Sequence, residues 1–334
     1  MTPKISILVP VYNVAAYIER CAHSLFQQTL DSIEFVFVDD ASPDDSIALL
    51  EKVVEEYPHR KMQVNIIRHP VNNGIGATRN TLLNAATGEY LLWVDSDDFL
   101  DIKAAEFLYQ KAVTGDADIV TTDTYYSYRE ESDALAVEQS LPADSFKYIE
   151  ALAFREVRAA LWGTLSKRSL WTDHQVHMAE GVNFGEDYFA TVRLFYFARK
   201  IEVVNQPLYY YNQSNLGSYS SGCKQALHFE SMICLFQLLE EFFVQNNDLP
   251  RYELYLAKAR LMERSAYLLH TTAALRRKYA ILFADVEKRH PEIKLPFSAW
   301  QRFLLRVITS RYYFAGDILI VVAKVLRRSL GVKF

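Results

Sequence analysis

Short apolar runs and amphipathic stretches alternate along the first hundred residues. Ile5-Ser6-Ile7-Leu8-Val9 has the character of a buried strand, and Pro10, which lacks a ladder donor, is expected to end it. Spacing over 15–28 is helical, Ile33–Asp39 returns to strand character, and a polar loop through Ser46 feeds a second helix reaching Tyr57. Val64–Arg68 reads as a third strand. Asn72-Asn73-Gly74-Ile75-Gly76 supplies a turn, 77–86 is helical, Thr87-Gly88 stops it, and 90–94 is a fourth strand. Strands separated by helices in this way predict an α/β, doubly wound, mostly parallel sheet, whose ligands bind outside the carboxyl ends of the strands.

Past residue 98 the pattern loosens into a helix over 102–114, a strand at Ile119–Thr122, a hairpin or exposed loop over 125–133 and helical spacing over 138–158. A loop ending in Glu186-Asp187 precedes another helix over 188–198, and from Cys223 the spacing is helical over 226–246, 251–269, 275–289 and a tail from Trp300. This predicts an α/β catalytic domain over 1–220 and a helical extension over 221–334.

Composition narrows the function classes. Half of the 334 residues are hydrophobic, enough for a sizeable core, and a net charge of -5 argues against nucleic acid as a partner. The three cysteines, Cys21, Cys223 and Cys234, lack close spacing and suggest a reducing, cytoplasmic setting. The N-terminal apolar run is too short for an export signal, and no run reaches the roughly 18–20 residues that span a bilayer. The tail departs from the acidic average. Residues 300–334 hold seven lysines and arginines against one acid, Asp317, and Trp300, Phe303, Leu304, Val307 and Ile308 share one helical face. A peripheral anchor at the inner face of the membrane accounts for such a segment; so does packing on the catalytic domain or on a second subunit in a homo-oligomer.

The candidate chemistry gathers at strand ends. The fourth strand runs into Asp95-Ser96-Asp97-Asp98, three carboxylates in four positions. Unpaired carboxylates are disfavoured in a core, so the run fits a cation site in which Asp95 and Asp97 point the same way; it fits a solvated turn as well. Pro10–Asn13 and Asp39-Asp40 follow other strand ends and fall on the same inferred rim. The first strand-to-helix turn holds no glycine-rich phosphate loop, so a diphosphate there would rely on a metal for neutralisation. Glu186 and Asp187 suit a general base, and equally an ordinary helix N-terminus. Trp162 suits a sugar-stacking ring or a core residue.

Five segments in order and spacing resemble the inverting nucleotide-sugar glycosyltransferases of family 2, whose fold is called GT-A: Val9-Pro10-Val11-Tyr12-Asn13, Val38–Ser46, Asn73-Gly74-Ile75-Gly76-Ala77-Thr78-Arg79-Asn80, Asp95-Ser96-Asp97-Asp98 and Gly185-Glu186-Asp187. The resemblance implies a Rossmann-related, mixed sheet flanked by helices. It places Pro10, Val11 and Tyr12 around a nucleotide base, commonly uracil, with Asp40 accepting a base N–H, and Gly76, Arg79, Asp95 and Ser96 on the donor side. Asp97 would hold Mn²⁺ or Mg²⁺, with Asp98 as its competitor. Asp187 would be the base, Glu186 its neighbour, and Trp162 an acceptor contact; Asn215 and Ser218 could touch the diphosphate. The implied partners are a nucleotide-sugar donor, here a UDP-sugar, and a glycan or lipid-linked acceptor in polysaccharide or glycolipid assembly. Asp39 stands where asparagine is frequent, and Gly163 and Thr164 stand where lysine or asparagine is frequent. The alternatives are a nucleotidyltransferase, which would be expected to carry a basic glycine-rich loop after the first strand, and a non-catalytic nucleotide-sugar-binding module.

Overall fold

A computed structural model describes residues 2–122, 124–128, 134–179, 181–182, 184–215, 225–310 and 312–330; Ser218 and Cys223 lie outside them. The backbone divides into two compact units, Met1–Ile149 with Glu156–Gly222, and Glu150–Arg155 with Cys223–Phe334.

The first unit opens with β1 (Ile5–Val11), α1 (Ile18–Phe26), β2 (Ile33–Asp39), α2 (Ser46–Glu56), β3 (Val64–Arg68), α3 (Ile75–Ala85) and β4 (Tyr90–Trp93). It continues with β5 (Phe99–Leu100), α4 (Ala104–Gly115), β6 (Ile119–Thr122), β7 (Thr124–Tyr128), β8 (Leu135–Glu138), α5 (Ser145–Ala153), β9 (Leu165–Lys167), α6 (Arg168–Asp173), α7 (Glu186–Phe197), β10 (Ile201–Val204) and β11 (Tyr209–Asn212). Seven strands form one sheet in the order β10-β6-β9-β4-β1-β2-β3, parallel except where β9 runs antiparallel to β4 and β6. Every residue of the central β1 is buried, as expected for a strand covered on both faces. Ile5, Ile7, Val9, Phe35, Phe37 and Leu92 from the sheet pack with Ile18, Leu25 and Phe26 of α1 in one core.

Four local expectations change. β1 runs through Pro10 to Val11, paired with Val38 and Asp39. Val94 N–H donates to Leu8 O and Asp40 N–H to Val11 O, so by alternation Pro10 faces the β4 side just where β4 ends, and its missing donor forfeits no bond. The helical spacing over 138–158 is interrupted by Pro142: the stretch begins as β8 and is helical only as α5. Glu186 and Asp187 form the first turn of α7 rather than a loop before it. The fourth change is the second sheet, β5-β11-β7-β8, in which β11 pairs parallel with β7 and antiparallel with β5.

The second unit contains α8 (Gln225–Gln245), α9 (Leu249–His270), α10 (Ala273–Tyr279), α11 (Ala284–Arg289), α12 (Ala299–Thr309) and α13 (Tyr313–Leu330). The helix expected over 275–289 breaks before α11, at Phe283, whose φ is +58°. Leu304 and Ile308, from the apolar face of the tail, are buried with Leu268, Leu269, Tyr279 and Ile320 in this unit's own core. Asp317 pairs with Arg276 and Arg277. Phe314, Ile318 and Val321, at i, i+4 and i+7 of α13, are 73%, 48% and 59% exposed and form an uncovered apolar face. Among the described residues no helix is long and apolar enough to cross a membrane.

Candidate active site

The parallel order β3-β2-β1-β4 reverses its winding between β1 and β4, the place where open α/β sheets leave a ligand crevice at their carboxyl ends. Tyr12, Asp39-Asp40 and Asp95–Asp98 all leave the sheet there. Pro10 and Val11 are buried, while the Tyr12 ring is 45% exposed just past the end of β1.

Arg79, on α3, joins the pieces. Its guanidinium is buried and forks to two acids far apart in sequence, Nη1 donating to Glu186 Oε1 at 2.7 Å and Nη2 to Asp95 Oδ1 at 3.0 Å. A planar guanidinium suits such a two-way contact, and a lysine would reach one acid only. Burial works against the Arg79 charge, but Glu186 and Asp95 more than offset it. The resemblance implies a place on the donor side for Arg79; in the fold Arg79 ties the tip of β4 to the start of α7. Gly76, on the same helix, explains how α7 comes so near. A Cβ there would stand 3.2 Å from Val182 O and 3.3 Å from Ala179 O, so a side chain would push the segment entering α7 outward. Gly185 then turns the chain at φ +78° to start α7.

The two acids of α7 share one environment. Glu186 is buried, and burial raises its carboxyl while Arg79 opposes the rise. Asp187 is half-buried and accepts the Tyr188 N–H at 2.8 Å; burial, then the Glu186 charge, push it up to about 7. A carboxyl raised to that range gains and loses its proton near neutral pH.

The three strand-end acids divide. Asp98 is buried and both its oxygens are taken by β11: Oδ2 accepts from the Tyr209 hydroxyl and Oδ1 from the Asn212 N–H, each at 2.7 Å. Burial and the Asp97 and Asp95 charges hold it well above the usual carboxylate range. The expectation that Asp98 competes for an ion therefore changes, because its lone pairs already serve the protein. Asp97 accepts from Asn215 Nδ2 at 2.8 Å, and burial with the neighbouring Asp95 charge pushes it up to about 6. Asp95 keeps 29% of its side chain exposed, and Ser96 is buried. The Tyr209 hydroxyl also accepts the Asp95 N–H at 3.1 Å, so one phenol fixes the turn between these acids. Tyr209→Phe is expected to lower stability by about 1–3 kcal/mol, read from the denaturant midpoint, since Asp98 loses a donor inside the core.

One residue differs in surroundings from its expected setting. Asp40 is buried and committed to the β3–α3 turn: Oδ1 accepts from the Asn73 N–H at 2.8 Å, Oδ2 from the Gly74 N–H at 2.9 Å, and His69 Nδ1 lies 2.8 Å from Oδ1. His69 escaped the sequence reading, although applying the strand-end rule to β3 would have found it. Trp162 is half-buried against the Tyr209 ring (4.5 Å between centroids) and the Tyr211 ring (5.4 Å), which joins it to the same β11 that holds Asp98.

This geometry belongs with known sequences. Residues 6–166 match the model of Glycosyl transferase family 2. The putative glycosyltransferase EpsH of Bacillus subtilis (strain 168) is 34% identical over 259 residues, which cover 75% of this chain and 72% of that protein. The chain belongs to glycosyl transferase family 2. This family 2 glycosyltransferase is also 27% identical over 221 residues to the poly(ribitol-phosphate) beta-N-acetylglucosaminyltransferase TarS of Staphylococcus aureus (strain Mu50 / ATCC 700699), across 65% of this chain and 37% of that one. Its fold matches the crystal structure of S. aureus TarS 1-349 in complex with UDP-GlcNAc with a TM-score of 0.69 at 21% identity, covering 95% of this chain and 89% of that chain, and is GT-A.

Proposed function

We propose that this family 2 glycosyltransferase moves a sugar of the hexosyl or N-acetylhexosaminyl class from a UDP-sugar to a hydroxyl of a glycan or lipid-linked acceptor, converting an α-linked donor into a β-glycosidic product. One observation carries the reading: the Arg79 fork joins the donor-side acid Asp95 to the Glu186–Asp187 pair, so leaving group and base belong to one site. UDP-GlcNAc in the related TarS structure supports the donor. Pro10 and Val11 wall the base, the exposed Tyr12 ring covers it, and Asp40 with His69 holds the 72–74 turn beside it. Asp187 takes the proton of the acceptor hydroxyl, the freed oxygen attacks the anomeric carbon, and the bond to the diphosphate oxygen breaks with its electron pair leaving on UDP.

Asp95 and Asp97 are the residues that would hold a divalent cation, Mn²⁺ or Mg²⁺. Asp97 fits the role: it has no ion pair among the described residues, and burial first, then the Asp95 charge, disfavour its ionised form, a cost that a bound cation would offset. Among the described residues no group of three or more His, Cys, Asp or Glu is placed to hold a metal. A hard ion held by two carboxylates would take its remaining ligands from phosphate and water. Such an ion supplies Lewis-acid stabilisation of the leaving diphosphate.

Thermal shifts with a panel of nucleoside diphosphates and nucleotide sugars, with and without Mn²⁺, test the donor assignment. A UDP-sugar at about 100 times its dissociation constant is expected to add about 2.7 kcal/mol. Asp97→Asn is expected to remove the Mn²⁺-dependent part, and stabilisation by guanosine compounds alone would contradict the UDP assignment.

The uncovered α13 face and the basic tail support attachment to an anionic membrane surface. Ile318→Ser with Val321→Ser is expected to abolish flotation with phosphatidylglycerol vesicles; equal flotation of both forms would contradict this. Removing 300–334 entirely is the poorer test, because Leu304, Ile308 and Ile320 belong to the core.

A further inference from the structure

Arg158 lies between α5 and β9, four residues before Trp162, and is exposed. Its guanidinium stands over three rings at once, 4.9 Å from the Tyr125 centroid, 5.1 Å from Tyr211 and 5.9 Å from Trp162. Its backbone N–H donates to Gln139 Oε1 at 3.1 Å, anchoring the segment. Several basic side chains of this unit meet acids, Arg68 reaching Glu51 at 2.5 Å, Lys61 Glu55 at 2.6 Å and Lys167 Asp118 at 3.1 Å, and Arg60, Arg168 and Arg193 meet backbone carbonyls. Arg158 has no such partner among the described residues, although three aromatic faces fix its position.

The rings beneath it lead into the site. Trp162 stacks on Tyr211 and on Tyr209, and the Tyr209 hydroxyl contacts both the Asp95 N–H and the Asp98 carboxylate. Tyr125 meets Trp162 edge-on at 5.1 Å, closing the cluster from the β7 side. An arginine oriented by ring faces keeps its planar fork of N–H donors for an outside oxyanion, and cation–π contact sets the angle of that fork without neutralising it. The surrounding chain is acidic, with a net charge of -5, so an anionic acceptor would need a local cation to be drawn in.

We propose that Arg158 is the anion-reading group of the acceptor site. The acceptor saccharide or polyol carries an oxyanion, phosphate or carboxylate, near the hydroxyl that is glycosylated, and Trp162 and Tyr211 form the apolar wall against its carbon face. This rests on the glycosyltransferase reading of the Asp95–Asp187 site, and it names the chemical class of that site's second substrate.

The test is ¹⁹F NMR of the full chain labelled with 5-fluorotryptophan, in which the four tryptophans give four signals and Trp162→Phe assigns one. With UDP and the diamagnetic Mg²⁺ present, glycerol 3-phosphate, gluconate and neutral glycerol are titrated in turn. The oxyanion probes are expected to shift the Trp162 signal saturably and glycerol is not; the stronger of phosphate and carboxylate identifies the source. Arg158→Met is expected to weaken the response at least 10-fold, and Arg158→Lys, which keeps the charge and loses the fork, to fall between. No saturable shift, an equal response to glycerol, or unchanged affinity in a folded Arg158→Met chain would overturn the assignment. UDP binding measured in the same samples separates the two claims. Its absence overturns the donor site, whereas UDP binding without an oxyanion response overturns the role of Arg158 alone.

Discussion

Asp187→Asn is expected to slow sugar transfer by about 10²–10⁴-fold while the affinity for the nucleotide sugar stays near the native value, measured by product formation and by donor titration. The amide keeps the shape and can still accept the Tyr188 N–H, which the native Oδ1 holds at 2.8 Å, so the fold of the α7 N-terminus survives. What is lost is the proton acceptor that the proposed mechanism requires. The native profile carries a sign that tests the same point. Burial and Glu186 raise Asp187 to about 7, and a base works only when deprotonated, so kcat is expected to climb with pH through that region and level off above it. Glu186→Gln removes the neighbouring charge and is expected to move this limb to lower pH. A limb that stays in place would remove Glu186 as a cause of the shift, and a flat profile would remove Asp187 as the base.

Arg79→Met is expected to be the most destabilising single change at the site, by about 3–5 kcal/mol, because it leaves Glu186 and Asp95 without their shared cation. For a unit of this size that corresponds to a fall in Tm of roughly 10 °C. The sign with pH follows from Glu186. In the variant its carboxyl rises further, and protonation lifts the penalty, so the gap between native and variant narrows as pH falls. Arg79→Lys separates charge from geometry. It keeps a cation for one acid and loses the bridge, so it is expected to recover much of the stability and little of the transfer rate. Full recovery of both would reduce Arg79 to a simple counter-ion.

The parts of this architecture that depend on local periodicity were legible in the sequence. Val64–Arg68 and Ile119–Thr122 are strands at the expected bounds, and the polar residues after β1, β2 and β4 share a rim because parallel strands place their carboxyl ends together. What stayed hidden depends on contacts between distant segments. The Arg79–Glu186 pair spans 107 positions, and the Tyr209–Asp98 hydrogen bond spans 111. Asp95, Asp97 and Asp98 look alike in sequence; the antiparallel pairing of β11 with β5, which directly follows Asp98, brings Tyr209 and Asn212 against Asp98 and sets it apart. Pro10 misled for a similar reason, since whether a proline ends a strand depends on whether a neighbouring carbonyl needs an N–H from that position. Asp40 was recognisable as a rim acid, but its capture by the Asn73 and Gly74 amides is a property of how the β3–α3 turn closes.

The central claim is that Asp95, Arg79 and the Glu186–Asp187 pair form one site for inverting transfer. Its most direct measurement is the anomeric configuration of the product, read by ¹H NMR after incubation with a UDP-α-sugar, Mn²⁺ and a hydroxyl acceptor. A β-linked product with release of UDP, lost in Asp187→Asn, is the predicted result. An α-linked product, or pyrophosphate release in place of UDP, would contradict it.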